Sequence, residues 1–258
     1  MSGKQYRLGR LFHPVDGHSV ILPVDHGIAL GHLDGLRNPV KVVKELSKVM
    51  PDAVLLNPGL SQAASDLFYK ANAPARILNV DTYYDDGVTI AHGLIGSAEH
   101  AVIEGYDAIK ILLPWDGTVE QKLANAKIAT QIARDSDRWQ IPLIIEPTLI
   151  HSHDHFDHVV SDAVRVAFEI GADILKVPYP SSKDLLQEWV EMFQIPVVLL
   201  GGAKGGNSNS LLLSIKEAMD IGVRGIAIGR NVWQRDLDEA QLLFSKLYRI
   251  VHAQLFND

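Results

Sequence analysis

Eight short aliphatic runs recur along the chain, at residues 19–24, 53–57, 76–80, 108–113, 143–146, 173–177, 197–200 and 225–229. Each is long enough for one strand and mostly apolar throughout, as expected of parallel strands covered on both faces. Amphipathic stretches of helical length separate most of them. Parallel neighbours need a crossover, and a helix is the usual one. This alternation, repeated eight times in about 250 residues, predicts an α/β fold, a (β/α)8 TIM barrel forming one domain over 1–258. A doubly wound open sheet is the runner-up, but no Gly-x-Gly-x-x-Gly turn follows the first run.

The helix boundaries support the same division. Asn38-Pro39 reads as an N-cap followed by proline at the first helical position. Thr118 and Gln121 make a capping box before a long helix ending near Arg138. Ser181 with Asp184 predicts another helix start. Gly171 and Gly222 fall just past periodic runs and read as C-terminal stops. A last helix is expected from about Asp236. The segment 81–96 is long for a strand-to-helix loop and carries Tyr83, Tyr84, Asp85, Asp86 and His92.

Composition narrows the chemistry. With no cysteine, disulfides, thiolate nucleophiles and thiolate-held metals are excluded. That absence fits a cytoplasmic location, and the N-terminal residues do not resemble a signal peptide. No run approaches a membrane span. The net charge of −7 argues against a nucleic-acid partner but leaves room for a local basic pocket.

In such a barrel the chemistry is carried by the C-terminal ends of the strands and the loops after them. That rule picks out Asp25-His26-Gly27, Asn57-Pro58-Gly59, Lys110 with Trp115 and Asp116, Glu146, Lys176, the turn from Gly201 to Gly206, and Gly229-Arg230-Asn231. Lys176 stands out. A lysine within the core strand Ile174-Leu175-Lys176-Val177 is costly unless it is neutralised, paired or put to use. Burial and a nearby cation both depress an amine's pKa and make it a nucleophile towards carbonyls. Lys110 lies two strands earlier, so the two amines are expected in one layer, with Glu146 on the strand between them as a proton donor or acceptor. Asp25 is placed to stabilise a cationic intermediate or move a proton. The plainer reading is a buried Lys–Glu–Lys network that only fixes the barrel.

Two glycine turns after consecutive strands suggest a phosphate subsite, with Gly201, Gly202, Gly229 and the cations of Lys204 and Arg230. The histidine-rich segment 151–158 invites a metal reading, and a metal-dependent hydrolase built on His26, His92, His151 and His153 is a distant alternative. Alternate histidines at a loop-to-helix junction need not converge on one ion, so a solvated loop is the simpler reading and no metal is expected there.

Taken together, Asp25-His26-Gly27, Asp173-Ile174-Leu175-Lys176, the Gly-Gly turn and Gly229-Arg230-Asn231 resemble the class I, Schiff-base-forming aldolases of the DeoC/LacD superfamily over nearly the whole chain. The segment 107–113 and Glu146-Pro147 look most like the tagatose-bisphosphate and sulfofructose-phosphate branches. The archaeal-type fructose-bisphosphate aldolases carry a tyrosine near the end of the fifth strand, where this chain has Thr148. The resemblance implies Lys176 as the iminium-forming lysine. Glu146 and Lys110 would transfer protons at the hydroxyl of the aldehyde half, and Asp25 would assist dehydration. It also implies a phosphorylated sugar substrate with dihydroxyacetone phosphate as ketone half, no cofactor, and a homo-oligomer. A related carbon–carbon lyase, thiolase-like enzyme or synthase using the same lysine is the alternative.

Overall fold

The computed structural model describes residues 2–87, 89–151, 156–201 and 207–256. Within them the strands are β1 (Ser19–Pro23), β2 (Ala53–Leu56), β3 (Ala75–Asn79), β4 (Asp81–Asp85), β5 (Ile90–Leu94), β6 (Ala108–Pro114), β7 (Leu143–Thr148), β8 (Ile174–Val177), β9 (Val197–Leu200) and β10 (Gly225–Ala227). Eight of them close a barrel in the order β1-β10-β9-β8-β7-β6-β3-β2, every pair parallel. These are the eight runs predicted from sequence, and helices connect most of them on the outside. No helix among the described residues is long and apolar enough to cross a membrane.

Both faces of the barrel strands are buried, and period 2 decides which side chain points where. One apolar cluster joins Ile21, Leu55, Ala75, Ile77, Ala108, Ile144, Ile174, Val198 and Ala227 from all eight barrel strands. This is the barrel interior. Two residues further along their strands, on the same face, come Asn79 after Ile77, Lys110 after Ala108, Glu146 after Ile144 and Lys176 after Ile174. The interior is therefore apolar towards the strand starts and ionised towards the strand ends. A helix not anticipated from sequence, Gly3–Leu11, closes the apolar end. Leu8, Leu11 and Phe12 pack on the inner cluster. Ser2 and Gln5 form its capping box.

The expected helix signals are present with one shift. Asn38 caps Pro39–Leu46, and Thr118 and Gln121 form the capping box of Val119–Trp139. Gly171 and Gly222 follow their helices at φ +107° and +109°. The last helix is Leu237–Val251. Ser181, however, does not cap the helix Lys183–Phe193; Ser182 does. The Asp157 carboxylate holds Ser181 through its backbone N–H at 3.1 Å, which leaves the next serine to cap. The segment 81–96 also differs from the loop expected. β4 and β5 pair antiparallel from Asp81↔Leu94 to Asp85↔Ile90. This hairpin stands at the catalytic end of the barrel, between β3 and the helix Ala98–Ile103.

A buried clamp ties the chain ends together at the opposite end. His252 has no exposed surface, and its ring nitrogens face Asp16 Oδ2 at 2.8 Å and Asp52 Oδ2 at 2.9 Å. Burial alone would lower the His252 pKa, but the two carboxylates outweigh it and hold it above 6.5. Burial would raise Asp16, yet the His18 backbone N–H and His252 hold it below 3.8. The clamp therefore contributes fully below about pH 6.5 and weakens as pH rises through the raised histidine value. At the acid end it is present above about pH 3.8 and lost as pH falls through the lowered Asp16 value. Replacing His252 with Ala removes the cation shared by two buried carboxylates, leaving them the His18 and Val20 backbone N–H groups, and is expected to cost about 3 kcal/mol. Urea denaturation of both proteins should show the gap between them narrowing from about pH 5.5 to about pH 9.

Candidate active site

Lys110, Glu146 and Lys176 meet because β6, β7 and β8 are neighbours and each carries its ionised residue on the inner face near its end. Glu146 Oε2 accepts from Lys176 Nζ at 2.7 Å and lies 3.1 Å from Lys110 Nζ. Lys110 Nζ also reaches Asn79 Oδ1 at 3.4 Å and Asp25 Oδ2 at 3.5 Å. Asp25 Oδ1 is 3.2 Å from His26 Nδ1, and His26 stands edge-on to Trp233. Lys110, Glu146, Lys176 and Asp25 are 4%, 8%, 5% and 7% exposed, so solvent screens their mutual fields little.

Of the two nearby amines, one of which was expected to be depressed, Lys110 is not that one. Burial does disfavour the Lys110 ammonium, but Glu146, Asp25 and Asp81 outweigh it and hold Lys110 above the ordinary lysine range. Burial would raise Asp25, yet Lys110 and His26 drive it well below the usual carboxylate range. Glu146 is also lowered: burial opposes the charged form, and the Lys110 and Lys176 ammoniums override it. Near neutral pH Lys110 is therefore held as a cation, and Asp25 and Glu146 rest as anions.

These groups line a cavity of about 210 Å³ together with His26, Asn79, Asp81, Tyr83, Thr148 and Arg230. Drug-sized pockets hold roughly 300–1,000 Å³, so this one suits a small polar molecule. Of the anticipated phosphate set, Arg230 lines the cavity, and its Nε is buried without a partner. Gly201 and Gly229 do not line the cavity and are instead closely packed against neighbouring segments. A Cβ at Gly201 would come 2.8 Å from Ile228 Cγ2, and one at Gly229 would come 2.9 Å from Pro23 O. Gly202 and Lys204 lie outside the described residues.

The histidines named for a metal hydrolase do not converge. His26 turns to Asp25, His92 to Asp81 at 2.8 Å, and His151 to Asp85 at 3.0 Å. His153 lies outside the described residues. Among the described residues, the group close enough to share an ion is His13, Asp16 and His252, at the other end of the barrel.

Among the cavity residues missing from the sequence-derived list, Asn79 and Asp81 make polar contacts around the cluster. Asn79 links the Lys110 amine to Asn57, donating to Asn57 Oδ1 at 3.1 Å. Asp81 begins the hairpin. Both follow the apolar run Ile77-Leu78, and a polar residue at the end of a barrel strand was the available signal.

The family model for DeoC/LacD family aldolases matches residues 19–235. The chain belongs to that family. It is a class I aldolase, a carbon–carbon lyase. The aldolase is 31% identical to a 2-amino-3,7-dideoxy-D-threo-hept-6-ulosonate synthase of Archaeoglobus fulgidus, over 99% of this chain and 93% of the relative. It is 26% identical to an archaeal fructose 1,6-bisphosphate aldolase of known crystal structure, with a TM-score of 0.81 over 97% of this chain and 99% of that one. A second structure of an archaeal fructose-1,6-bisphosphate aldolase holds the carbinolamine intermediate covalently on its catalytic lysine. It matches at 26% identity and TM-score 0.78, over 95% of this chain and 99% of that one.

Proposed function

We propose that this aldolase cleaves or forms a phosphorylated ketose through a Schiff base on Lys176, with dihydroxyacetone phosphate as the ketone half. The observation that carries this reading is the buried 2.7 Å contact between Lys176 Nζ and Glu146 Oε2, with Lys110 on the same oxygen at the wall of a small cavity.

Imine formation needs the free amine, and Glu146 is the carboxylate in contact to take its proton. The amine adds to the ketone carbon, and Glu146 returns its proton to the carbinolamine hydroxyl, which leaves as water to give the iminium and restore the carboxylate. Asp25, held as an anion, faces this positive charge and assists the dehydration. Glu146 then removes the proton from the hydroxyl on the aldehyde side, and the Lys110 cation stabilises the negative charge that develops on that oxygen. The carbon–carbon bond breaks, its electron pair passes into the iminium, and the aldehyde leaves. The resulting enamine is protonated at carbon, and water hydrolyses the imine to return the ketone and the lysine. The iminium is itself the electron sink, so no cofactor is required by this route. Arg230 supplies charge for a phosphate at the cavity wall.

Incubation with dihydroxyacetone phosphate, borohydride reduction and peptide mass spectrometry test the proposal. A reduced adduct on Lys176 is expected. No adduct on any lysine of the folded protein would reject this ketone donor.

The likeness to the Archaeoglobus synthase favours a second reading, in which the same lysine takes a different keto donor to make an amino-sugar-type precursor. A screen of keto donors and acceptor aldehydes separates the two. A homo-oligomer in the cytoplasm goes with either reading, and light scattering of the purified protein tests the assembly.

A further inference from the structure

Asp81 is 1% exposed and lines the cavity. One of its oxygens is committed. Oδ2 faces His92 Nε2 at 2.8 Å and accepts the Leu112 backbone N–H at 2.8 Å. His92 Nδ1 is 3.0 Å from Asn125 Oδ1, and Asn125 donates to Pro114 O at 2.9 Å. The carboxylate is thus held from β5, from β6 and, through Asn125, from the helix Val119–Trp139. The other oxygen, Oδ1, is buried and has no hydrogen-bond partner among the described residues. A bare carboxylate oxygen in a buried setting is costly, and it is retained where a ligand brings the donor.

Its place in the barrel indicates which part of a ligand. Leu112, which anchors Oδ2, is two residues past Lys110 on the same inner face, whereas Lys176 lies across β7 on β8. Asp81 therefore sits on the Lys110 side, where the aldehyde half is handled in the reading above. A carboxylate there disfavours a phosphate and favours a hydroxyl. We propose that Asp81 Oδ1 accepts a hydrogen bond from a hydroxyl of the aldehyde half and selects hydroxyaldehydes over their deoxy analogues, with His92 as the residue that positions it. This inference rests on the Schiff-base reading above.

The test compares condensation of dihydroxyacetone phosphate with D-glyceraldehyde 3-phosphate and with 3-hydroxypropanal phosphate, its 2-deoxy analogue. In Asp81→Asn the amide oxygen stays where two donors meet, so the amide nitrogen takes the place of Oδ1 and presents a donor instead of an acceptor. The wild type is expected to favour the hydroxylated aldehyde in kcat/KM by at least about tenfold, and the variant to bring that ratio close to one. A wild-type ratio near one overturns the inference without recourse to the variant. An unchanged ratio in Asp81→Asn also overturns it, and so does an equal fall with both aldehydes, which marks a purely structural role. Absence of a borohydride adduct on wild-type Lys176 rejects the Schiff-base reading together with this inference. An adduct with no discrimination between the aldehydes rejects the inference alone.

Discussion

Lys176→Met is expected to abolish turnover, with a loss on the order of 10⁴-fold or more, while the fold survives. Among the described residues, Lys110 also touches Glu146, but Glu146, Asp25 and Asp81 hold Lys110 in its charged form. A protonated amine has no lone pair for a carbonyl. The stability outcome follows from the same geometry. Methionine removes one buried cation, and Glu146 keeps Lys110 at 3.1 Å, so its charge is not left alone. A change of no more than about 1–2 kcal/mol is expected, since an apolar side chain of similar length replaces an ion that was costly to bury. Steady-state kinetics and borohydride trapping on the purified variant check the first part, and thermal denaturation checks the second. Near-normal turnover in this variant would sink the Schiff-base proposal, and an adduct appearing on Lys110 would move the nucleophile to the neighbouring strand.

Glu146→Gln is expected to lower kcat by about 10²- to 10⁴-fold. The amide keeps the shape of the carboxylate but cannot take a proton from Lys176 or from the substrate hydroxyl. Imine formation is slowed and cleavage is slowed further, so single-turnover trapping should show an adduct on Lys176 that builds up faster than aldehyde is released. A variant that cleaves at the wild-type rate would reduce Glu146 to a structural counter-ion. The stability cost is also expected to be larger than for Lys176→Met. Two ammoniums lose their shared anion, and breaking a buried pair from one side costs about 3–5 kcal/mol. Circular dichroism at the assay temperature distinguishes an inactive folded protein from an unfolded one. In the wild type, the lowered Glu146 and Asp25 keep the cluster ionised below the ordinary carboxylate values of 4.5 and 3.8. Their contribution to stability is therefore present above those values and lost only as pH falls through the lowered ones.

The two variants separate what the cluster does from the fact that it is buried. A lysine–glutamate–lysine network can also be a strut. The cavity beside it, the unpartnered Arg230 Nε and the strand-end position of every member favour chemistry.

Much of this was legible in the chain. Eight aliphatic runs separated by helical stretches determine a barrel because buried parallel strands require crossovers, and helices supply them. Lys110, Glu146 and Lys176 could be named because an ionisable residue in an apolar run breaks a pattern that has a strong physical cause. The hairpin of β4 and β5 was not legible. Its residues alternate weakly, and strands of a small two-stranded ribbon owe their stability to what they pack against. Asp81 and Asn79 were missed for a related reason: a polar residue just past a strand reads as an ordinary loop until the neighbouring strand is known. Ser181 was misplaced as a cap because Asp157, 24 residues away, competes for it.

The sequence by itself determined the eight barrel strands, their alternation with helices and the three ionised positions inside strands, since these follow from local pattern and from the high cost of burying charge. Only the tertiary structure decided which amine stays charged, which carboxylate oxygen is left bare and which histidine pairs with which acid. Those outcomes depend on distances between strands far apart in sequence, and at a few ångströms in a buried site an electrostatic interaction changes steeply with each of them.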